Sequence, residues 1–244
     1  MDLTLENLSL EIEGNLIFED LNLRLLPGEV HIVLGPNGVG KSSLLKVISG
    51  HPGYSMAHGK ICLAGEDISQ KTPEKRAQQG IFVAFQEPCE IEGLSVANFL
   101  RTTLKAYPQN PAYNWSATVF YEKLYSLLEA VGLPKNFTSR SVNCGFSGGE
   151  RKRFELLQLL LFKPKFALLD ELDSGLDIDA KKLVLTTIEK LRQDLKMGFL
   201  IVSHDLDFVR NLRPDGIHLL RDKRWITMNL TELDKVEEGG FNKL

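Results

Sequence analysis

The chain of 244 residues carries 29 basic and 32 acidic side chains, a formal net charge of −3, with 43% apolar and 25% charged residues. This is the composition of an ordinary globular protein, one large α/β domain or a core with a small inserted subdomain, and the charge argues against broad nucleic-acid binding by phosphate attraction. No apolar run reaches the ~18–20 residues that cross a bilayer, and the scattered Cys62, Cys89 and Cys144 form neither a disulfide framework nor a C-x-x-C metal motif.

The start, Met1-Asp2-Leu3-Thr4, has neither the basic region nor the apolar segment of a signal peptide. A cytoplasmic location is expected, or an organellar one if a transit peptide has been removed. Apolar residues then alternate at Leu3, Leu5, Leu8, Leu10 and Ile12, and again at Leu21, Leu23 and Leu25. This predicts two strands, with a slip near Asn7. Pro27-Gly28 turns the chain into a short buried strand, Val30 to Leu34.

That strand runs into Gly35-Pro36-Asn37-Gly38-Val39-Gly40-Lys41-Ser42, a full match to the phosphate-loop pattern G-x-x-x-x-G-K-[ST]. A helix is predicted from Ser43 onward. Strand, glycine-rich loop and helix together are the context the pattern requires. Glycines let backbone N–H groups curl around phosphate oxygens, and the helix N-terminus adds partial positive charge. Lys41 brings a full charge to the β- and γ-phosphates, and the Ser42 hydroxyl suits Mg²⁺.

Further on, Lys60 to Leu63 predicts a strand closed by Gly65, and Thr72-Pro73 a helix start. Ile81 to Phe85 reads as a strand ending in Gln86-Glu87-Pro88. The texture then changes. Ser95 to Ala106 and Ser116 to Val131 read as helices, joined by a loop around Pro108-Gln109-Asn110-Pro111, with no clear strand between Glu90 and Asn143. A helical insertion into an α/β core is expected. Gly148 to Phe162 is a predicted helix, Phe166 to Leu169 a buried strand, Ile178 to Lys196 a long helix, and Phe199 to Val202 another buried strand. Alternating strands and helices imply a mostly parallel sheet. Ile217 to Leu220 and Trp225 to Met228 resemble a hairpin, and the charged tail from Thr231 a short helix. The expected division is a first core segment over 1–89, the helical insertion over 90–144, the rest of the core over 145–229 and a tail over 230–244.

Two further signals carry chemistry. The strand Phe166 to Leu169 ends in Asp170-Glu171. In a phosphate-loop protein, a carboxylate at that edge can hold Mg²⁺, and the next one can orient or polarise an attacking water. Phe146-Ser147-Gly148-Gly149-Glu150-Arg151 places a capping serine and two glycines at a helix start, a second end able to take an anion.

The order of these motifs resembles that of the ATP-binding-cassette ATPases. Phosphate loop, Gln86, Ser147-Gly148-Gly149-Glu150, Asp170-Glu171, Ser174-Gly175-Leu176-Asp177 and Ser203-His204 cover essentially the whole chain. The resemblance implies a RecA-like parallel-sheet core, an antiparallel β part at the N-terminus and an inserted helical subdomain. It implies ATP bound by Gly35, Pro36, Asn37, Gly38, Val39, Gly40, Lys41, Ser42 and Ser43. Mg²⁺ would be held by Ser42, Gln86 and Asp170, with Glu171, His204 and Gln86 catalytic. Ser147, Gly148, Gly149 and Glu150 would reach the ATP of a second copy, and Asp177 would couple the two sites of a transient homodimer.

Within that family the chain is similar to the ATPase subunits of Suf iron–sulfur cluster assembly. The matching stretches run Gly80 to Gln86, Glu90 to Gly93, Arg140 to Asn143, Phe146 to Arg153 and Leu169 to Ala180. Transporter cassettes usually have Pro-Thr in place of Leu172-Asp173, and Gln in place of Glu150. The resemblance implies SufB- and SufD-like scaffold subunits as partners, with no nucleic acid and no membrane insertion. The alternative is the nucleotide-binding subunit of a membrane transporter, which shares every catalytic motif. A chromosome-organising or DNA-repair cassette would need a long coiled coil or a basic track, and neither is present. Many cassettes stack adenine on an aromatic near the second strand. Gly14-Asn15-Leu16-Ile17 offers none, so modest ATP affinity and weak base selectivity are expected. Lys152 is placed to pair with an acidic neighbour such as Glu171.

Overall fold

Alternation in the first strands, then short all-apolar runs, produce two kinds of sheet in this computed structural model, which describes residues 1–107, 110–234 and 237. In chain order the elements are β1 (Leu3–Ile12), β2 (Asn15–Leu25), β3 (Val30–Leu34), α1 (Lys41–Ser49), β4 (Met56–Leu63), β5 (Glu66–Asp67), α2 (Pro73–Gln78) and β6 (Ile81–Ala84). There follow β7 (Ile91–Ser95), α3 (Val96–Leu104), α4 (Ala117–Ala130), β8 (Ser141–Val142) and α5 (Gly148–Phe162). The chain closes with β9 (Phe166–Asp170), α6 (Ile178–Leu195), β10 (Gly198–Val202), α7 (Leu206–Leu212), β11 (Gly216–Arg221) and β12 (Arg224–Met228). They divide into two units: Met1–Gln86 with Lys165–Ser174 and Ile188–Leu244, and Glu87–Pro164 with Gly175–Thr187.

In the first unit, β2-β1-β4-β5 form an antiparallel sheet. Leu3, Leu5, Leu8 and Leu10 of β1 are buried, with Phe18, Leu21, Leu23 and Leu25 of β2. The slip at Asn7 is a bulge: the register moves between Leu5↔Leu23 and Leu8↔Leu21, and Asn7 takes a φ of 48°. Opposite it lies Gly59 at φ 99°, where a Cβ would come within 2.5 Å of the Asn7 carbonyl. Only glycine fits there. β4 therefore begins at Met56, four residues before its apolar signal, because His58, Gly59 and Lys60 are exposed and show no alternation.

The second sheet of this unit has the order β12-β11-β3-β10-β9-β6, parallel from β11 to β6 with β12 added as an antiparallel hairpin. Every residue of β3, β9 and β10 is buried, as expected of interior parallel strands covered on both faces. This order has a consequence for the site. The segments that leave the carboxyl ends of β3, β10, β9 and β6 are, side by side, the phosphate loop, Ser203-His204, Asp170-Glu171 and Gln86. Ligands of open α/β sheets bind at that edge.

The second unit is built from capped helices. Ser95, Ser116 and Ser147 each begin a helix and accept a backbone N–H three residues on. Phe137, Phe146 and Phe154 pack together, the first two with ring centroids 4.5 Å apart. The stretch from Glu90 to Asn143 does contain strands, contrary to expectation: β7 pairs antiparallel with β8. β7 is exposed along Ile91-Glu92-Gly93, so it carries no apolar alternation to read. α7 was likewise not foreseen; seven residues are too few to display a helical period. At the C-terminus Asn229 and Glu232 close a single 3₁₀ turn over Leu230–Glu232, and the rest of the expected tail helix lies largely outside the described residues. So do Pro108 and Gln109 of the expected loop. No helix among the described residues is long and apolar enough to cross a membrane.

Candidate active site

Strand β3 delivers the chain into the loop with Gly35 at φ 148°, and a Cβ there would lie 2.3 Å from the Leu220 carbonyl oxygen. Gly40, at φ 111°, begins α1; its Cβ would lie 2.4 Å from Ile17 Cγ2. The loop is thus a cradle that side chains would fill. Lys41 is buried, and its ammonium donates to the carbonyls of Gly35 at 2.9 Å and Pro36 at 2.8 Å. Burial lowers its pKa, opposed by the nearby negative charges of Glu171 and Asp170.

A cavity of ≈ 590 Å³ opens on this loop. Asn37, Gly38, Gly40, Lys41, Ser42 and Ser43 line it, together with Gln86, Glu171, His204 and Ile17. Gly35 and Pro36 act instead through their carbonyls on Lys41, and Val39 packs against the hydrophobic core. Asp170 is buried at the end of β9.

The three expected catalytic side chains meet. Gln86 Nε2 donates to Glu171 Oε2 at 2.8 Å, and His204 Nε2 lies 3.1 Å from Glu171 Oε1. Each carboxylate oxygen thus faces one of the two side chains. Glu171 itself has a φ of 52°, and its N–H donates to the Val202 carbonyl at 3.0 Å. The strained conformation turns its side chain sharply off the strand. The next carboxylate, Asp173, is buried, and Ser203 Oγ donates to its Oδ2 at 2.7 Å. The pattern flagged Leu172-Asp173 as unusual, but its partner Ser203 is 30 residues away and no local signal points to it.

Deeper under the loop, His31 of β3 and His218 of β11 form a buried pair, Nδ1 to Nε2 at 3.0 Å. Glu29 reaches His31 Nε2 at 3.3 Å, and Trp225 stacks on His218 with centroids 4.5 Å apart. Burial pushes His218 down to about 3, helped by His31 beside it, and burial also lowers His31.

The remaining predicted residues belong to the second unit. Ser147 and Glu150 form a capping box at the start of α5: Ser147 Oγ accepts from Glu150 N, and Glu150 Oε2 accepts from Ser147 N at 2.8 Å. The other Glu150 oxygen takes Arg140 Nη1 at 2.6 Å. Arg140 also donates to the Gly145 carbonyl and lies over the rings of Phe146 and Phe137. Backbone and Arg140 hydrogen bonds hold the Glu150 carboxyl below the usual range. Both Glu150 oxygens thus support the start of α5 from within its own unit. Gly148 and Gly149 have nothing within 4 Å of where a Cβ would stand, which leaves that end open. Arg140 was not singled out for this role. Asp177 caps α6, Oδ1 accepting from Ala180 N at 2.7 Å. Lys152 makes its ion pair with Glu155 on its own helix, at 3.6 Å.

A family model described as ABC transporter matches residues 18–174. The chain is 40% identical over 241 residues to Vegetative protein 296 of Bacillus subtilis, covering 98% of this chain and 92% of that protein. It is 38% identical over 247 residues to the Probable ATP-dependent transporter SufC of Escherichia coli, covering 99% and 98%. Its fold matches the dimeric post-hydrolysis structure of an ATP-binding cassette bound to ADP and Pi, with a TM-score of 0.78 at 20% identity, over 93% of this chain and 99% of the other.

Proposed function

We propose that this chain, which belongs to the ATP-binding-cassette ATPases and hydrolyses ATP, is the soluble motor of a Suf-type iron–sulfur cluster assembly system. The observation that supports ATP hydrolysis is a cavity in which Gln86, Glu171 and His204 stand with Lys41 on the phosphate loop. The near full-length similarity to the SufC-named relative supports the assignment within the family.

ATP would lay its phosphates in the glycine cradle, with backbone N–H groups and the α1 terminus opposing their charge. Lys41, held on the Gly35 and Pro36 carbonyls, is already at the loop and needs only to turn its ammonium to the β- and γ-phosphates. Ser42 and Gln86 line the cavity and Asp170 is buried at the end of β9; these oxygen donors are a hard set that fits Mg²⁺. When bound, Mg²⁺ supplies neutralisation of the charge on the phosphate oxygens. Glu171 would accept a hydrogen bond from the attacking water through the lone pairs that Gln86 and His204 leave on its oxygens. His204 would donate to the γ-phosphate.

Ser147, Gly148 and Gly149 would meet the γ-phosphate of ATP on a second copy, through the open helix end of α5. Asp177 would link the two sites of that transient homodimer. SufB- and SufD-like scaffold subunits would take up the motion through the helical insertion and the Glu87 to Gly93 segment. Co-purification from the native cell tests this: recovery with soluble scaffold proteins is expected. The word transporter in the relatives' names favours a second reading, a subunit docked on membrane permeases, and recovery with such permeases would establish it instead.

A further inference from the structure

We propose that Asp173 is a positioning residue for His204, acting through Ser203. The inference rests on the reading of Glu171 and His204 as hydrolytic residues and goes beyond it, because Asp173 does not line the nucleotide cavity. Asp173 is 3% exposed, in the turn that follows β9, two residues past Glu171. A carboxylate this deep is stable only with hydrogen-bond donors directed at it. Ser203, fully buried at the end of β10, donates its hydroxyl to Asp173 Oδ2 at 2.7 Å, the short distance of a charge-assisted bond.

The same Ser203 oxygen accepts from the N–H of Asp205 at 3.1 Å, and Asp205 Oδ1 caps α7 by accepting from Phe208 N at 2.9 Å. His204 is the residue between these two anchors. Its peptide is therefore spanned by one continuous hydrogen-bond network that begins at Asp173. On the other side, the Glu171 N–H is tied to the Val202 carbonyl, and Ser174 N closes the turn on the Glu171 carbonyl. The turn bearing Glu171 and the loop bearing His204 are thus joined at a backbone link and at the Asp173–Ser203 link. Their side chains meet 3.1 Å apart in front of it.

Loss of Asp173 leaves the phosphate loop and Lys41 intact and lets the His204 peptide drift. The effect belongs in kcat rather than in KM, since misplacement of a donor by a fraction of an ångström is felt in the transition state. Steady-state and single-turnover ATP hydrolysis on the full chain test this with Asp173→Ala, Asp173→Asn, Ser203→Ala, His204→Ala and the Asp173→Ala/His204→Ala double variant. Asp173→Ala and Ser203→Ala should each lower kcat about tenfold with KM within about twofold. Asp173→Asn keeps an acceptor for the Ser203 hydroxyl and should retain most of the rate. On the His204→Ala background, Asp173→Ala should add less than about twofold, as groups acting as one unit do. An additive loss in the double variant, a loss carried by KM, or an unchanged kcat in Asp173→Ala would overturn the inference. Wild-type turnover in His204→Ala would instead sink the reading of His204 itself. Should Asp173→Ala fail to fold, Ser203→Ala, which removes a single oxygen, carries the same expectation.

Discussion

The two units prepare their functional groups in opposite ways. In the nucleotide unit the reactive side chains are tied to one another: Lys41 to loop carbonyls, and Glu171 to both Gln86 and His204. In the other unit the anion-ready end of α5 is held open by residues that stay behind it, Glu150 and Arg140. In the first the reactive groups hold one another in place, while in the second the helix end is left uncovered by its own supports. The difference teaches where control of the ATPase resides. A partner or a nucleotide that draws Gln86 or His204 away would change the Glu171 cluster directly, whereas on the proposed reading the α5 terminus would need only to be brought to a ligand.

The largest break in this contrast comes at Glu171. Glu171→Gln should retain ATP binding and lower kcat on the order of a hundred- to a thousandfold, because an amide cannot polarise the water. Equilibrium nucleotide titration beside phosphate-release kinetics measures both. Hydrolysis at the wild-type rate would remove Glu171 as the carboxylate of the reaction. Next comes pH, which should separate the units, since all five histidines lie in the nucleotide unit. His218 titrates about 3 when folded against an ordinary 6.5. The unfolded chain therefore binds more protons between these values, and stability falls as pH drops below 6.5. The loss is about 2 kcal/mol at pH 5 for this group alone. Hydrogen exchange along β3 and β11 should rise at pH 5 before that of α4 and α5, and His218→Asn should flatten the dependence. Equal acid sensitivity in both units would contradict this.

How much of this was legible depended on sequence distance. The phosphate loop was, because β3, the glycines and α1 are contiguous and their chemistry is local. The positions of Gln86, Glu171 and His204 were legible as strand ends, but their contacts with one another were not. Those follow from the strand order β3-β10-β9-β6, which no periodicity encodes. The β7–β8 pair escaped because Glu92 and Gly93 face solvent, so the segment shows no alternation. Arg140 stands in a stretch that matches the family, with no local signal of its use. Its use lies in closing the gap between Glu150, ten residues on, and the rings of Phe137 and Phe146, which only packing reveals.

Arg140 gives the sharper test of the second unit. Arg140→Ala removes the pairing of Glu150 and the cover over two aromatic rings, and should cost about 1 kcal/mol of stability by loss of a cap partner. In a Glu171→Gln background, ATP-driven pairing of two copies, followed by sedimentation, should weaken several-fold while ATP affinity of the single chain stays unchanged. A fall in single-chain ATP affinity would show that the α5 terminus is not separate from the nucleotide's own cradle.

The smallest effect belongs to the base. Phe18 is fully buried in the core, so the only β2 side chain lining the cavity is the aliphatic Ile17. An aromatic ring against adenine contributes ~0.5–1.5 kcal/mol beyond area burial. Ile17→Tyr should therefore tighten ATP about two- to tenfold and raise the preference over GTP, as read by competition binding. Because Ile17 packs on the Gly40 side of the cradle and carries no group that takes part in the chemistry, kcat and pairing at saturating ATP should not move. Unchanged affinity would mean that the base rests elsewhere, and a changed kcat would mean that base contact is transmitted to the Glu171 cluster. In the second case the hold on Glu171 would answer to the nucleotide itself, and release would not wait for a partner.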